Sequence, residues 1–410
     1  MTTATPGGHS FLVCHPGRQY SHQLALALEE RGWLQRYLSG VPSGRNRDYK
    51  VPEWLWRKAI RYSCLPIDRS KTRWNPVAPL MVRAGRAFPS VSAATRIEYF
   101  GYRLFDAWAA RQLAAIRPNV VVAYENAALE TFRIAKRFGV GTVLDAAAIH
   151  HSAQDRTIEY RESTRHHRQI CRNKDAEVAL ADLVITCSEY AKSTYVLAGV
   201  PESKIAAIPL GVDLDLFFPR PDKAPRGVPT LLFVGATSHT KGIDLLCRAL
   251  RNIVARGRKV ELRIVGPASD NHSWVEKAEA RGEVLYRGSH SQDALPGEYR
   301  AADCLVLPSR HDSFGMVVPE ALACGVPAVV SSEVGAKTLI QDGVSGWIVP
   351  AGDVQALEER IEWCVDNIDK VRSMSTHARL AAEQAGWATY RKRVHDVFAH
   401  FLTDEVSQSS

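Results

Sequence analysis

Two doubly wound parallel α/β sheets, facing each other across a cleft, are the fold class this sequence predicts. Three observations carry that expectation. The chain has 410 residues, too many for one ordinary domain and enough for two of about 200 each. Short apolar runs of strand length alternate with segments of helical period along most of its length. The alternation restarts after Pro219–Pro229 (PRPDKAPRGVP), a stretch rich in Pro, Arg and Lys that reads as the interdomain linker. The expected domains are residues 1–205 on the acceptor side, 206–385 on the donor side, and a C-terminal helix with a polar tail over 386–410 that packs back on the first domain.

Taken in order, the first half offers buried strands at Phe11–Cys14 (FLVC), Val120–Ala123 (VVVA), Thr142–Leu144 (TVL) and Leu183–Thr186 (LVIT), with a helix at Ser21–Arg31 after the first. The second half offers Leu231–Val234 (LLFV), Glu261–Val265 (ELRIV), Val284–Tyr286 (VLY), Cys304–Leu307 (CLVL) and Ala328–Val330 (AVV). Helices are expected at Ile243–Arg256, Glu298–Ala302 and Pro319–Cys324, and helical pattern runs from Gln355 to about Phe401, with Thr403–Ser410 as a frayed polar tail. Continuous apolar strands are the mark of a parallel sheet buried on both faces. Such open sheets take ligands outside the C-terminal ends of their strands, so the site is expected in the cleft.

Composition narrows the class. Hydrophobic residues make up 46% and charged residues 23%, as in a folded globular protein. No run of 18 apolar residues occurs, which argues against a membrane-crossing helix. The opening MTTATPGGHS has no basic side chain and no apolar core, unlike a secretory leader. The eight cysteines include no CxxC pair, so no disulfide framework or zinc site is expected and a reducing, cytoplasmic setting fits.

The net charge of +8 is unevenly placed, with 29 Lys+Arg against 18 Asp+Glu in residues 1–210. Between Arg31 and Arg117 there are 17 basic and 5 acidic residues, with Trp33, Trp54, Trp56, Trp74 and Trp108 among them. Basic charge mixed with indole suits peripheral contact with an anionic membrane, at its inner face. A solvated basic face over ordinary core tryptophans is the plainer explanation. No nucleic-acid-binding module is recognisable.

Two constellations carry chemistry. In the first, Phe233-Val234-Gly235-Ala236-Thr237-Ser238-His239-Thr240-Lys241-Gly242, a strand ends, Gly235 turns the backbone, and Lys241 and Gly242 open a helix. A lysine above a sheet beside a helix N-terminus suits a diphosphate, and the loop lacks the GxxxxGK[ST] of a Walker loop. Without such a ligand, Lys241 is a surface lysine at a helix start. In the second, residues 308–325, the strand CLVLP runs into a polar loop with Asp312, and Gly315 would let amides from Phe314, Met316 and Val317 turn toward a phosphate. Glu320 lies on the following helix and can accept both hydroxyls of a ribose; complementing the helix dipole is its plain structural alternative.

These residues resemble retaining glycosyltransferases of family 4, whose fold is GT-B: two facing Rossmann-like domains. Asp312 to Glu320 resembles the family's acid–seven residues–Glu signature, with Phe314, Gly315, Glu320, Ala321, Ala323, Gly325 and Pro327 kept. Ile208-Pro209-Leu210-Gly211-Val212-Asp213 with Phe218-Pro219 resembles its connector, and residues 341–353 its D-G-x-x-G…V-P-x-G-D segment. His15-Pro16-Gly17 resembles its N-terminal glycine loop.

The resemblance implies that Glu320 holds the ribose and Lys241 balances the diphosphate. It implies that Asp312 lies near the sugar hydroxyls, that Gly17 lets its loop approach the diphosphate, and that His150 or His151 lies near the donor sugar. It further implies transfer of a sugar from a nucleoside-diphosphate sugar to an acceptor hydroxyl with retention of configuration. The acceptor would be a carbohydrate or lipid-linked molecule of envelope, polysaccharide or glycolipid synthesis. No cofactor or metal is expected, and Asp213-Leu214-Asp215 reads as a surface turn rather than a metal-binding DxD. The sequence departs from the family in three places. Ala236 stands where arginine is usual, leaving Arg18 or Arg310 to supply that cation; Asp312 replaces glutamate; and Gly335-Ala336-Lys337-Thr338 replaces G-G-x-P-E. A sugar-nucleotide 2-epimerase and a non-catalytic nucleotide-sugar-binding protein are the competing readings.

Overall fold

The computed structural model describes residues 9–41, 67–85, 87–88, 91–157, 165–219 and 227–408. Trp54, Trp56 and much of the basic 31–117 stretch lie outside the described residues, as do 220–226 of the expected linker.

Both expected sheets are present, and every strand pairing in them is parallel. The first contains β1 (Phe11–His15), β2 (Leu34–Ser39), β3 (Thr72–Trp74), β4 (Val120–Tyr124), β5 (Gly141–Ala146), β6 (Leu183–Thr186) and β7 (Ile205–Ala207), in the order β3-β2-β1-β4-β5-β6-β7. The second contains β8 (Thr230–Val234), β9 (Glu261–Val265), β10 (Val284–Tyr286), β11 (Cys304–Leu307), β12 (Ala328–Ser331) and β13 (Gly346–Val349), in the order β10-β9-β8-β11-β12-β13. Strand order reverses between β1 and β4 in one sheet and between β8 and β11 in the other, and ligands of such sheets bind at those switch points.

Alternation along β1 shows why the strands read as unbroken apolar runs. Phe11 and Val13 join the core under the helix Ser21–Glu30, while Leu12 and Cys14 join the opposite core with Phe105 and Leu113 of the helix Val91–Ile116. Both faces are covered, so both phases of the alternation must be apolar. The strands the sequence did not announce are β2, β3, β7 and β13. Three of these are sheet edges and β2 lies next to one, where Gln35, Arg36 and Arg73 are tolerated because one side meets water.

Two expectations are corrected. The chain passes from the first domain to the second before Pro219. Phe217 stacks edge-on against Tyr299 at 5.9 Å, and its carbonyl accepts from Arg379 at 3.0 Å, so it is already fixed to the second domain. The C-terminal helix Trp387–Gln408 continues through most of the expected frayed tail. It lies on the first domain, where Tyr390, Val394 and Phe398, four residues apart, are all buried. The Phe398 and Phe11 rings are 5.2 Å apart, Arg391 Nε is 2.7 Å from Glu30 Oε1, and the His395 ring meets the Ala27 carbonyl at 2.6 Å.

Phe398→Ala is therefore expected to cost about 3–5 kcal/mol, as for other buried aromatic deletions. Urea denaturation of the full chain should show a correspondingly lower midpoint.

Candidate active site

The site begins with a glycine. Gly242 has φ +70°, and a Cβ there would lie 2.2 Å from the Pro308 carbonyl oxygen. Only a residue without a side chain lets the turn after β8 press against the end of β11. The turn is tied there by the Arg310 amide, which donates to the Thr240 carbonyl at 2.8 Å. Lys241 is thereby carried over the β11 loop, and its Nζ is 2.5 Å from Asp312 Oδ2.

The Asp312 loop is held on its other side by the chain after β12. The Asp312 amide donates to the Glu333 carbonyl, the Gly335 amide to the Asp312 carbonyl, and the Ala336 amide to the Phe314 carbonyl, at 2.8, 3.0 and 2.6 Å. Gly315, at φ +84°, completes the bend; a Cβ would lie 2.9 Å from Val334 Cγ1.

The first domain grips the same loop through Ser313. Its Oγ accepts from the Ile149 amide at 3.0 Å, and its carbonyl accepts from Ser188 Oγ at 2.5 Å and Cys187 Sγ at 3.3 Å. Ser188 also caps the helix Glu189–Leu197 by accepting from the Ala191 amide at 3.0 Å.

Between the two domains lies a cavity of about 370 Å³. Ala147, Cys187 and Leu210 form one wall, and Val234, Gly235, Lys241, Asp312, Ser313, Phe314, Gly315, Met316 and Val317 form the other. Among these lining residues Lys241 alone carries positive charge and Asp312 alone negative charge.

Glu320 stands on the helix Val317–Ala323 that starts at this cavity, but it is not among the lining residues. It is 6% exposed and accepts a 2.7 Å hydrogen bond from the buried Tyr299 hydroxyl. Burial pushes its carboxyl up to about 7, against the opposing pull of the Tyr299 bond.

Two family models divide the chain between them. Residues 18–216 match Glycosyltransferase Family 4, and residues 217–381 match Glycosyl transferases group 1. Together the two matches run from residue 18 to residue 381. A D-inositol 3-phosphate glycosyltransferase of Xylanimonas cellulosilytica is 32% identical over 243 residues, covering 54% of this chain and 58% of that protein. One from Mycolicibacterium smegmatis is 30% identical, covering 53% of this chain and 52% of that protein. The matched region thus spans little more than half the length of these curated relatives.

Among solved structures, sucrose-phosphate synthase from Thermosynechococcus elongatus superposes with a TM-score of 0.68 at 18% identity, covering 97% of this chain and 100% of that one. Anabaena HepE in complex with UDP superposes with a TM-score of 0.64 at 18% identity, covering 95% and 100%. At these identities the likeness is one of fold, and the fold is GT-B.

Of the candidate residues read from the sequence, Gly235, Lys241, Asp312, Phe314, Gly315, Met316 and Val317 line this one cavity. Glu320, Gly17, Arg18, His150, His151 and Arg310 do not line it. Gly17 lines a separate cavity with His15, Gln19, Arg83, Tyr102 and Tyr124. His150 and His151 turn toward Asp175, and the residue after β5 that reaches the interdomain cavity is Ala147. Arg310, considered as a replacement for the arginine absent at Ala236, makes a two-pronged bond to Asp244 at 2.8 Å on each arm. Burial alone would raise the Asp244 carboxyl, but the Arg310 fork outweighs it and holds that carboxyl below its usual range. Sequence reasoning missed Ser313, Cys187, Ser188 and Ala147. Ser313 adjoins Asp312 inside the recognised motif, but nothing in the spelling of the other three marks them out.

The Glu320 carboxyl should leave a signature in stability. In the folded chain it keeps its proton up to about 7, whereas the ordinary value is 4.5. Its stabilising share is therefore full below pH 4.5 and is lost as pH rises through 7. Glu320→Gln removes that titration. Relative to the unmodified protein, the variant should gain on the order of 2–3 kcal/mol between pH 4 and pH 8, read by urea denaturation across that range. Parallel curves for the two proteins would contradict the assignment.

Proposed function

We propose that this chain is a glycosyltransferase that moves a hexosyl group from a nucleoside-diphosphate sugar to an acceptor hydroxyl. The single observation that carries the reading is the interdomain cavity, in which Lys241, Asp312 and the Gly315–Val317 turn of one domain face the other domain. Departure of a nucleoside diphosphate leaves negative charge on its phosphates while the sugar carbon becomes cation-like, and fixed charges aimed at both are the strongest means of lowering the barrier.

In this structure Lys241 is neutralised by Asp312. When a donor enters, the ammonium is shared with the diphosphate and Asp312 is released to accept from sugar hydroxyls. The amides of the Gly315–Val317 turn supply further donors without adding charge. Glu320, one turn along the helix, is the carboxylate available to a ribose, at the cost of its bond to Tyr299. The first-domain wall of Ala147, Cys187 and Leu210 offers no carboxylate for a double displacement. Retention would then come from attack on the leaving-group face, assisted by the donor phosphate, and no step calls for a metal.

The acceptor side of the reading rests on the first domain. Leu80, Phe88, Phe100 and Leu104 are 60%, 51%, 55% and 39% exposed, in the same sequence region as Arg83, Arg96 and Arg103. Apolar side chains mixed with basic ones suit an anionic lipid surface and hence a lipid-linked acceptor. No helix among the described residues is long and apolar enough to cross a membrane. Pelleting with anionic vesicles at low salt, lost at high salt, is the expected result; binding that is absent or indifferent to salt contradicts this part.

A binding-only protein has one observation in its favour: Ala236 removes a cation and Arg310 is committed to Asp244. Two measurements separate the readings. UDP-, GDP- and ADP-sugars should be screened by thermal shift, with one class raising the melting temperature. With that donor, Lys241→Ala should lower kcat about 100–1,000-fold with an unchanged circular dichroism spectrum. Unchanged turnover in the variant overturns the role of Lys241, and a donor bound without transfer or hydrolysis favours the binding protein.

A further inference from the structure

The histidines that the cavity does not use stand together elsewhere. His151 begins the helix His151–Thr157 with His150 directly before it, and Asp175 lies on the helix Arg165–Leu180. His151 Nε2 is 2.6 Å and His150 Nε2 is 3.7 Å from the same oxygen, Asp175 Oδ1. The three candidate ligand atoms lie within 4.8 Å of one another.

We propose that His150, His151 and Asp175 form a binding site for a divalent transition-metal ion of the zinc class, separate from the transfer site. Two neutral imidazoles and one carboxylate are a ligand set that zinc takes, leaving a fourth position for water or an outside ligand. Metal–ligand bonds of about 2.0–2.2 Å in a tetrahedron place ligand atoms roughly 3.3–3.5 Å apart. The observed 2.6 and 3.7 Å separations straddle that spacing. The half-exposed Asp175 side chain can make the adjustment.

The imidazoles are already held in place. The His150 backbone amide donates to Thr194 Oγ1 at 2.9 Å, and its Nδ1 is 2.8 Å from Ser152 Oγ. Nδ1 also accepts from the Ser152 amide at 3.3 Å, so a metal at Nε2 would require the proton to sit on Nδ1 and be donated to Ser152 Oγ in place of that amide bond. The ring packs edge-on against Tyr195 at 5.1 Å, and the His151 ring lies 4.2 Å from it at an angle of 35°. Preorganisation of this kind is what distinguishes a ligand set from a chance ion pair.

A bound ion would join the start of one helix to the middle of the next. It would act as a clasp on the first domain, with no part in the reaction. The proposal does not depend on the transferase reading.

The test uses the untagged full chain, stripped with chelator and returned to metal-free buffer. Zinc titration by calorimetry should give one saturable site, and cobalt(II) should give the visible bands of four- or five-coordinate ligation. Asp175→Asn, which keeps shape at a half-exposed position, and His151→Ala should each weaken zinc at least tenfold without changing the circular dichroism spectrum. The pair of helices should gain hydrogen-exchange protection with zinc in the unmodified chain and not in the variants. Absence of saturable zinc binding, or equal binding by the unmodified chain and a His150→Ala/His151→Ala double variant, would overturn the site.

Discussion

Everything at the cleft depends on one loop being gripped from three directions. Residues 310–316 are tied to the Lys241 turn through the Arg310 amide, to the chain after β12 through Asp312 and Phe314, and to the first domain through Ser313. Each bond is modest, worth about 1 kcal/mol net. Together they fix a carboxylate and an ammonium against each other at a place where neither would otherwise be fixed. The glycines at 242 and 315 are the residues that permit the approach. Their cost in chain entropy is offset by the bonds they allow.

The electrostatics of the cavity follow from that arrangement. Lys241 and Asp312 cancel each other at the cavity, so the site presents little net charge until a ligand separates them. Further from the cavity, other carboxyls are buried with incomplete compensation. Burial pushes Asp145 up to about 7, against the Tyr20 hydroxyl that accompanies it. It pushes Glu177 up to about 8, although the Asn126 and Ala128 amides both donate to that carboxylate. A domain that carries much of the chain's excess basic charge thus keeps acids in its interior that hold their protons near neutrality; these two favour the folded chain below pH 7, while burial of His15 and His22, which holds both imidazoles well below their ordinary value, opposes that on the acid side.

The sequence made the second domain far more legible than the first. There, β8 and β11 are almost wholly apolar and the chemical loops follow them directly, so Lys241, Asp312 and Gly315 could be placed above the sheet from spacing alone. In the first domain, β3 is only Thr72–Trp74 and β2 carries Gln35 and Arg36, because strands at or near the edge need not be apolar on every side. His150 lies away from the cavity for a different reason. A histidine after a strand end has the residue type that the chemistry needs, but the backbone turns it away, and the small Ala147 takes the cavity wall. Residue type can be read from a sequence, whereas the direction of a loop side chain is set by contacts such as the Thr194 bond to the His150 amide.

The returning C-terminal helix has a mechanical consequence. The chain crosses between domains twice, once after β7 and once before Trp387, and the two crossings touch. The Val212 amide donates to the Ala385 carbonyl at 2.9 Å, and a Cβ on Gly211 would lie 2.7 Å from the Trp387 Cα. A body joined to another by two adjoining straps can rotate about the line through them but resists twisting and sliding. Rotation about that line is the relative movement of the lobes that the two crossings oppose least, and it is the one that would part Ser313 from its partners on the far wall.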